Sequence, residues 1–363
     1  MTPPADLRGR SLLAVFAHPD DESITCGGLL AWCAHLGADV ALLCLTRGEH
    51  GQDGREPVKS SARRGPDASR HGQDANRPEQ DADRHGQDAN RPEQDADRHE
   101  QDANPNGPDA GDLGRTRGRE LECAARALGV KKVTLLEHAD GMLPWLDAAR
   151  LEADIEAALR RRRPDAVITF DEDGLYGHPD HVAVHERTTA VVEALDESAP
   201  ALYYVTMPPG AMRALVDHAT RSVRDPTDGT VPGAARRAGR GRGTRDGGGG
   251  PRARVDPRSG STSILGVGDP DAFGAEAPAP TLVVDAGAFA AAKLAALTCH
   301  ATQFHGGALE AVAPEDAPRL LGVEHYRRAA VGAAGPSFLD AFAVPAATPG
   351  AASLPTLSDR RTP

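Results

Sequence analysis

Short apolar runs alternate along this chain with segments of helical pattern, in the order typical of β-α-β units. This alternation predicts an α/β protein with a Rossmann-like three-layer fold, in which helices cover both faces of a mostly parallel sheet. No G-x-G-x-x-G sequence follows the first apolar run, so the pattern disfavours a dinucleotide-binding site. The predicted strands are 11–17, 39–45, 132–136, 165–170, 201–206 and 281–285, and the predicted helices are 23–36, 115–128, 151–162 and 181–195.

Two similar polar motifs follow two of the predicted strands. Ala17–Glu22 (AHPDDE) comes directly after the first strand, and Gly177–His181 (GHPDH) follows the fourth strand after a short polar turn. Because open α/β sheets hold their ligands at the carboxyl ends of their strands, we expect the two motifs to converge there. One His-Pro-Asp sequence is common in ordinary turns, but two copies supply the nitrogen and carboxylate ligands that zinc accepts in hydrolytic sites. The pair therefore predicts a metal site.

These motifs and several others resemble the LmbE-like, or PIG-L, family of zinc-dependent N-acetylglucosamine deacetylases. The resemblance includes Arg117–Leu121 on a helix, the Asp140–Met142 loop, and Lys293 with His300–Gln303 further along the chain. It covers residues 11–50, 112–210 and about 280–328. The family includes a deacetylase of mycothiol biosynthesis and a mycothiol-conjugate amidase. The resemblance implies the same fold, metal-dependent amide hydrolysis, and a small N-acetylated amino-sugar conjugate as the substrate.

The resemblance also implies a ligand set. Carried over position by position, it makes His18, Asp21 and His181 the ligands of Zn²⁺, with Fe²⁺ as an alternative ion. Asp20, which lies beside a ligand, would be the general base that takes a proton from metal-bound water. Zinc lowers the pKa of such water from about 15.7 to about 7, so a weak carboxylate base suffices at neutral pH.

Five further residues receive roles from the same resemblance. His178 would act as an imidazolium that stabilises the oxyanion and protonates the leaving amine, which the usual histidine pKa of about 6.5 suits. Tyr176 would point at the same oxyanion, although a tyrosine in a loop more often serves packing. Substrate contacts would come from Glu49, Arg117 and Asp140, for which solvated charges or caps are the alternative interpretation.

Three neighbouring polar residues lie outside this inherited site. Glu22 is expected to cap the following helix or to orient His18, and Asp180 is expected to orient a ligand or the neighbouring histidine. His185 lies four residues after His181, a spacing that places two zinc ligands on one helical face in metalloproteases. The glutamate of that protease motif is absent, so we interpret His185 as a helix-face histidine.

The deacetylase-like part is predicted to be one domain, comprising residues 1–51, 112–220 and 264–343. The first insert, 52–111, contains a 14-residue repeat, His71–Arg84, which recurs at 85–98. A polar repeat without an apolar face cannot bury a core, so we predict that this insert is disordered. Because it follows Glu49 and His50, we also hypothesise that it covers the mouth of the active site. The second insert, 221–263, is rich in Arg and Gly and is predicted to be a flexible linker, with binding of an anionic partner as the alternative. The tail at 344–363 is also predicted to be disordered.

Composition restricts the environment and the partners. The chain has 41 basic and 53 acidic residues, a net charge of −12, which argues against general binding to nucleic acid or to a membrane surface. It has no apolar run of about 18 residues and no signal-peptide core near its start, so a cytoplasmic location is expected.

The five cysteines lack paired metal spacing, and reduced, mostly buried thiols are expected. The sequence does not determine the oligomeric state.

The sequence therefore favours a zinc-dependent N-deacetylase acting on an N-acetylglucosaminyl conjugate. An amidase that cleaves a larger amide, such as a mycothiol S-conjugate, would share these motifs, because loops select the acyl side. A non-catalytic sugar-binding module is the third interpretation. The presence of both Asp20 and His178 speaks against it.

Overall fold

The computed structural model describes residues 4–51, 110–224, 264 and 267–344. Its strands are β1 (Ser11–Phe16), β2 (Asp39–Thr46), β3 (Lys132–His138), β4 (Ala166–Phe170), β5 (Ala201–Thr206), β6 (Leu282–Asp285) and β7 (Val323–Gly332). They form one seven-stranded sheet of order β3-β2-β1-β4-β5-β7-β6. The first five strands in this order are parallel, and β7 runs antiparallel to both of its neighbours. The predicted mostly parallel sheet is confirmed.

Helices cover the sheet on both faces. They are α1 (Asp21–His35), α2 (Ala110–Ala127), α3 (Ala148–Arg162), α4 (Gly174–Gly177), α5 (Pro179–Ala194), α6 (Ala211–Arg224), α7 (Ala290–Cys299), α8 (Ala301–Phe304) and α9 (Ala317–Leu321). Since β-α-β crossovers are right-handed, α1 and α2 lie on one face of the sheet and α3 and α5 lie on the other. The contacts agree, because α7 packs against α1 and α2, whereas α3 packs against α5. Among the described helices, none has both the length and the apolar character that a membrane span requires.

The two central strands are buried along nearly their whole length. All five residues of β4 are buried, as are residues 12–16 of β1. Strands covered on both faces read as continuous apolar runs, which explains why these two were predictable from sequence. Phe16 and Phe170, the last residues of the two strands, meet edge to face with ring centroids 5.0 Å apart. The polar segments that follow the two strands therefore begin at well-packed, buried strand ends.

Strand β7 has no counterpart among the predicted strands, because charged residues interrupt its apolar pattern. Its Glu324 is buried and accepts a hydrogen bond from the Nζ of Lys293 at 2.7 Å and one from the hydroxyl of Tyr326 at 2.8 Å. Arg327 pairs with the carboxylate of Asp171. Partners from distant parts of the chain thus stabilise charges that, in the sequence, indicate a loop.

Two helices extend into segments that the prediction assigns to the inserts. Helix α2 begins at Ala110, so it takes two residues from the predicted insert 52–111 and starts before the predicted Arg115. Helix α6 continues to Arg224, which removes the first residues of the predicted linker 221–263. The remainder of both predicted inserts and the tail after Val344 lie outside the described residues.

The expectation of five reduced thiols is wrong for one pair. Cys123 and Cys299 form a disulfide, with Cα atoms 5.7 Å apart. They lie on α2 and α7, which pack together, and their separation of 176 residues leaves no local spacing signal. The other three cysteines are free and buried, as expected, and burial raises their pKa values; they are Cys26, Cys33 and Cys44.

Candidate metal centre and active site

The two sequence motifs meet at the carboxyl edge of the sheet. Strands β1 and β4 are neighbours and run parallel, with Leu12 beside Ala166 and Ala14 beside Ile168. After β1 the chain passes through the first motif directly into α1. After β4 it passes through a short turn into α5, whose first turn carries the second motif. The expected convergence is therefore present.

Three groups in these motifs have the spacing of ligands around one ion. Nδ1 of His18 lies 3.2 Å from Nε2 of His181. Oxygens of Asp21 lie 3.6 Å from that nitrogen of His18 and 3.3 Å from that of His181. Bonds of about 2.0–2.1 Å in a tetrahedral zinc site put ligand atoms about 3.3 Å apart. Burial would raise the pKa of Asp21, but the two histidines more than offset this and lower it, which favours the carboxylate.

The second ring nitrogen of His18 is held by two carboxylates. Its Nε2 lies 3.2 Å from Oδ2 of Asp180 and 3.1 Å from Oδ1 of Asp140. Asp180 is itself fixed, because it accepts hydrogen bonds from the backbone N–H groups of Gly141 at 2.8 Å and Leu143 at 3.1 Å. A proton on Nε2 would leave Nδ1 deprotonated, the form in which histidine binds a metal. Asp180 thus has the geometry of an orienting residue, and Asp140 shares it.

His181 is oriented by the backbone and by a strand residue. Its Nδ1 lies 3.1 Å from the carbonyl oxygen of Gly174, a contact that places the proton on Nδ1 and frees Nε2. The ring stacks on Phe170 with centroids 3.9 Å apart and planes at 5°. His185 instead places its Nδ1 3.0 Å from the carbonyl oxygen of Phe170, a contact that joins α5 to the end of β4.

Asp20 lies between the two predicted ligands of the first motif, His18 and Asp21, and has an unusual backbone conformation. Its φ of 125° falls in a region that favours glycine. Such a conformation costs on the order of 1–3 kcal/mol and persists only where its surroundings fix it. Its N–H donates to Oε2 of Glu22 at 3.1 Å, and its carboxylate accepts from Nη2 of Arg117 at 3.1 Å. Burial raises the pKa of Asp20 to about 7 against the opposing charge of Arg117, so this carboxyl exchanges its proton near neutral pH.

Arg117, a predicted substrate contact, lies beside Asp20 with its guanidinium buried. It is 4% exposed. Besides Asp20, its Nη groups donate to the carbonyl oxygens of Pro19 and Gly48, each at 2.8 Å. These bonds fix Asp20 and the loop at Gly48. Within the described residues, Nε of Arg117 is buried without a hydrogen-bond partner, so substrate contact by Arg117 stays a prediction.

Glu49 and Asp140 lie together beside this loop. The N–H of Asp140 donates to Oε1 of Glu49 at 3.0 Å, and Oδ2 of Asp140 accepts from the N–H of His50 at 2.9 Å. Burial raises the pKa of Asp140, but its hydrogen bond with His18 and further contacts lower it to about 2. Within the described ranges, Oε2 of Glu49 is buried without a hydrogen-bond partner. Substrate contact by Glu49 and Asp140 stays a prediction. Oε2 of Glu49 is an acceptor that a substrate hydroxyl could use.

His178 lies in the cluster, but its electrostatics differ from the expected imidazolium. Its Nδ1 accepts a hydrogen bond from the N–H of Asp180 at 3.2 Å, which places the proton of the neutral ring on Nε2. Burial, then the neighbouring His181 and His18, lower its pKa to about 4. This favours the neutral ring, whose Nε2–H is a hydrogen-bond donor, and the acid role expected of His178 stays a prediction.

Tyr176 borders the same cluster. Its ring centroid lies 5.7 Å from that of His178 and 5.4 Å from that of His181. Burial raises the pKa of its hydroxyl, so the group remains a protonated donor throughout the neutral range. The structure brings Tyr176 to the centre, and its contact with a reacting oxygen stays a prediction.

Two overlapping sets of donor atoms in the described residues are compatible with a metal. One set comprises His18, His178 and His181, and the other comprises His18, Asp140 and Asp180; within each set the atoms lie within 4.8 Å of one another. His18 belongs to both sets, so they are two sides of a single centre. Since anchored carboxylates already occupy the Nε2 side of His18, the Nδ1 side is the better metal position.

Sequence reasoning missed a buried network behind Asp20. Nε2 of His300 lies 2.8 Å from Oε1 of Glu22, and Oε2 of Glu22 accepts from the N–H of Asp20, the N-cap residue of α1. Glu22 therefore bonds the start of α1, as expected of a cap, and also links His300 to Asp20. The carboxylate of Glu120 accepts from the N–H of Thr302 at 3.0 Å and from its hydroxyl at 2.6 Å. The motif around His300 was visible in the sequence. Its partner lies 278 residues away, which no local pattern indicates.

The fold and the cluster define an α/β protein with a buried histidine–carboxylate centre at the carboxyl edge of its sheet. The family model PIG-L, described as GlcNAc-PI de-N-acetylase, matches residues 13–194. The chain belongs to this family of deacetylases.

Relatives extend the match beyond that range. A protein of Acidothermus cellulolyticus named 1D-myo-inositol 2-acetamido-2-deoxy-alpha-D-glucopyranoside deacetylase is 30% identical over 336 residues, covering 87% of this chain and 88% of the relative. A protein of the same name from Rhodococcus jostii is 34% identical over 203 residues, 51% of this chain and 54% of the relative. Among solved structures, the N,N'-diacetylchitobiose deacetylase from Pyrococcus horikoshii is 21% identical with a TM-score of 0.36, covering 54% of this chain and 60% of that one.

Proposed function

We propose that this protein is a metal-dependent N-deacetylase that removes the acetyl group from a small N-acetylglucosaminyl conjugate. The observation that carries the proposal is the ligand-like spacing of His18, Asp21 and His181 next to the buried carboxyl of Asp20. Relatives named as deacetylases of an inositol-linked acetamido sugar support the same substrate class.

The donor set suits the proposed ion. Two imidazoles and one carboxylate are the ligand types of catalytic zinc sites, which keep a further position for water, and Fe²⁺ accepts the same groups. When bound, the ion would supply Lewis-acid polarisation of the amide oxygen and a water molecule with a pKa of about 7. The chain contributes the fixed ring orientations, through Asp180, Asp140 and the carbonyl of Gly174.

Asp20 is the proposed base. A pKa of about 7 is close to the value at which general acid–base catalysis is most effective at neutral pH. As a carboxylate, Asp20 accepts a proton from the attacking water, and as a carboxylic acid it can return that proton to the leaving amine. This replaces the acid role first expected of His178 and requires only one titrating group.

His178 and Tyr176 are the proposed donors to the developing oxyanion. Both carry a proton at neutral pH, the former on Nε2 and the latter on its hydroxyl. Neutral donors that are fixed before the reaction stabilise an oxyanion without a change of protonation state. His178 is the N-cap residue of α5, and the hydrogen bond from the N–H of Asp180 to its Nδ1 fixes the ring.

The proposal is tested by amine release from a panel of N-acetylglucosaminyl compounds, including the inositol conjugate, with a mycothiol S-conjugate as the larger amide. We expect release of acetate and amine in equal amounts, fastest for the inositol conjugate. Cleavage of the larger amide alone would make the protein an amidase. No cleavage of any compound by protein that holds one zinc ion per chain would indicate a binding role.

Replacing Arg117 should move the pH dependence of the reaction. The guanidinium, 3.1 Å from Asp20, favours the carboxylate and so lowers its pKa. Its loss in Arg117→Gln raises that pKa, so a higher pH is needed to form the base, and the acidic limb of kcat/KM shifts upward by about 1–3 units. The measurement is a pH profile of kcat/KM. Arg213→Gln, which removes a surface pair with Asp271, is the control and should leave the limb in place.

A further inference from the structure

We infer that His300 and Glu22 are positioning residues for Asp20, and that together they hold its backbone in the conformation that places the base between the two ligands of the first motif. This inference rests on the proposed function, because Asp20 is the base of that reaction. It assigns a catalytic contribution to a segment near the end of the domain, which lies far from the two motifs in sequence.

The two residues form a continuous chain of buried hydrogen bonds to Asp20. Nε2 of His300 lies 2.8 Å from Oε1 of Glu22, and both side chains are 1% exposed. The hydroxyl of Ser23 donates to the same oxygen at 2.6 Å. The other oxygen, Oε2, accepts the backbone N–H of Asp20 at 3.1 Å. His300 therefore fixes the rotamer of a carboxylate whose remaining oxygen holds the base.

The backbone of Asp20 explains why such a support is needed. Its φ of 125° is sparsely populated by residues other than glycine, and it persists only where neighbouring groups maintain it. Asp20 is buried, so its N–H would lose its partner in the protein interior if Glu22 moved. A relaxed backbone would displace the carboxyl from the cluster.

The support from Glu22 is separate from that of Arg117. Arg117 bonds the carboxylate of Asp20, whereas Glu22 bonds its backbone. Both supports are joined behind the site, because Glu120 of α2, the helix that carries Arg117, bonds Thr302 two residues after His300. Rigid placement of a reacting group matters strongly, since misplacement by about 1 Å can lower a rate about 10²-fold.

A purely stabilising role accounts poorly for this buried pair. Desolvation of a buried histidine and carboxylate offsets much of their attraction, so well-packed apolar residues of similar volume often stabilise a protein equally well. The position of the pair explains its presence, because the hydrogen bonds of His300 and Glu22 lead to the backbone N–H of Asp20, the proposed base.

The test compares His300→Leu with His300→Gln in the zinc-loaded enzyme, with amine release from the inositol conjugate as the readout. Leucine removes the hydrogen bond to Glu22, whereas the glutamine amide can donate in place of Nε2. We expect His300→Leu to lower kcat about 10- to 100-fold with KM and zinc content unchanged, and His300→Gln to stay within a few-fold of the wild type. The matched control is His218→Leu. His218 lies on α6 and its Nε2 is 3.4 Å from Oδ2 of Asp316, so this variant should keep full activity.

A crystal structure of zinc-loaded His300→Leu separates this inference from the proposed function. We expect the φ of Asp20 to leave its value of 125° in the variant and to keep it in the wild type. Unchanged kcat with an unchanged Asp20 would overturn the inference. So would equal losses of kcat, zinc and thermal stability in both variants at His300. If the wild type releases no amine, the proposed function fails, and the conformation of Asp20 in the two crystals still decides the positioning role.

Discussion

Asp20→Asn is expected to lower kcat about 10²- to 10⁴-fold while one zinc ion per chain remains bound, because the substitution removes the proposed base and leaves the ligands in place. Asparagine tolerates a positive φ and keeps the backbone N–H that donates to Glu22. The side chain keeps its size, so the loss reports on the carboxylate and its proton. The measurement is steady-state amine release, with the zinc content of the same preparation.

The control for this prediction is a second Asp→Asn change at a structural position. Asp147 precedes α3 and accepts from the N–H of Ala149 at 3.0 Å, so Asp147→Asn should leave kcat unchanged. Full turnover by Asp20→Asn would show that another group accepts the proton from water, and the assigned mechanism would then be wrong.

His181→Ala is expected to abolish stoichiometric zinc binding and, with it, activity. Nε2 of His181 lies 3.2 Å from Nδ1 of His18 and 3.3 Å from Asp21, so its loss leaves two of the three proposed protein ligands. Loss of an outer partner such as Asp180 typically costs about 10- to 100-fold in metal affinity, and loss of a direct ligand should exceed that range. Titration with zinc against a competing chelator measures the difference. His18→Ala should behave in the same way.

The matched control lies one helical turn further along α5. His185 has its Nδ1 3.0 Å from the carbonyl oxygen of Phe170, and His185→Ala should therefore keep zinc at one ion per chain. Zinc affinity equal to that of the wild type in His181→Ala would remove this residue from the ligand set.

The sequence predicts the part of the site that depends on strand order and fails where contacts span the chain. Strands β1 and β4 are continuous apolar runs, and the rule for open α/β sheets places the segments behind them at one edge. His18 and His181 therefore meet as expected. Strand β7 escapes prediction because Glu324 and Arg327 find partners only in the folded protein.

Charge and pairing in the interior are likewise set by the folded surroundings. The sequence gives His178 an ordinary pKa, whereas burial beside two other histidines lowers it to about 4. The role of His300 depends on Glu22, 278 residues away, and the disulfide of Cys123 with Cys299 depends on the packing of α2 against α7. A family motif identifies such residues as candidates, and only the three-dimensional contacts give them a role.

Zinc content and amine release, measured in the same preparation, show whether one metal ion held by His18, Asp21 and His181 enables deacetylation. Metal is removed with a chelator and restored in steps, with the inositol conjugate of N-acetylglucosamine as substrate. We predict no release from the metal-free protein and release that rises in proportion to zinc up to one ion per chain. Undiminished release from metal-free protein would contradict the claim.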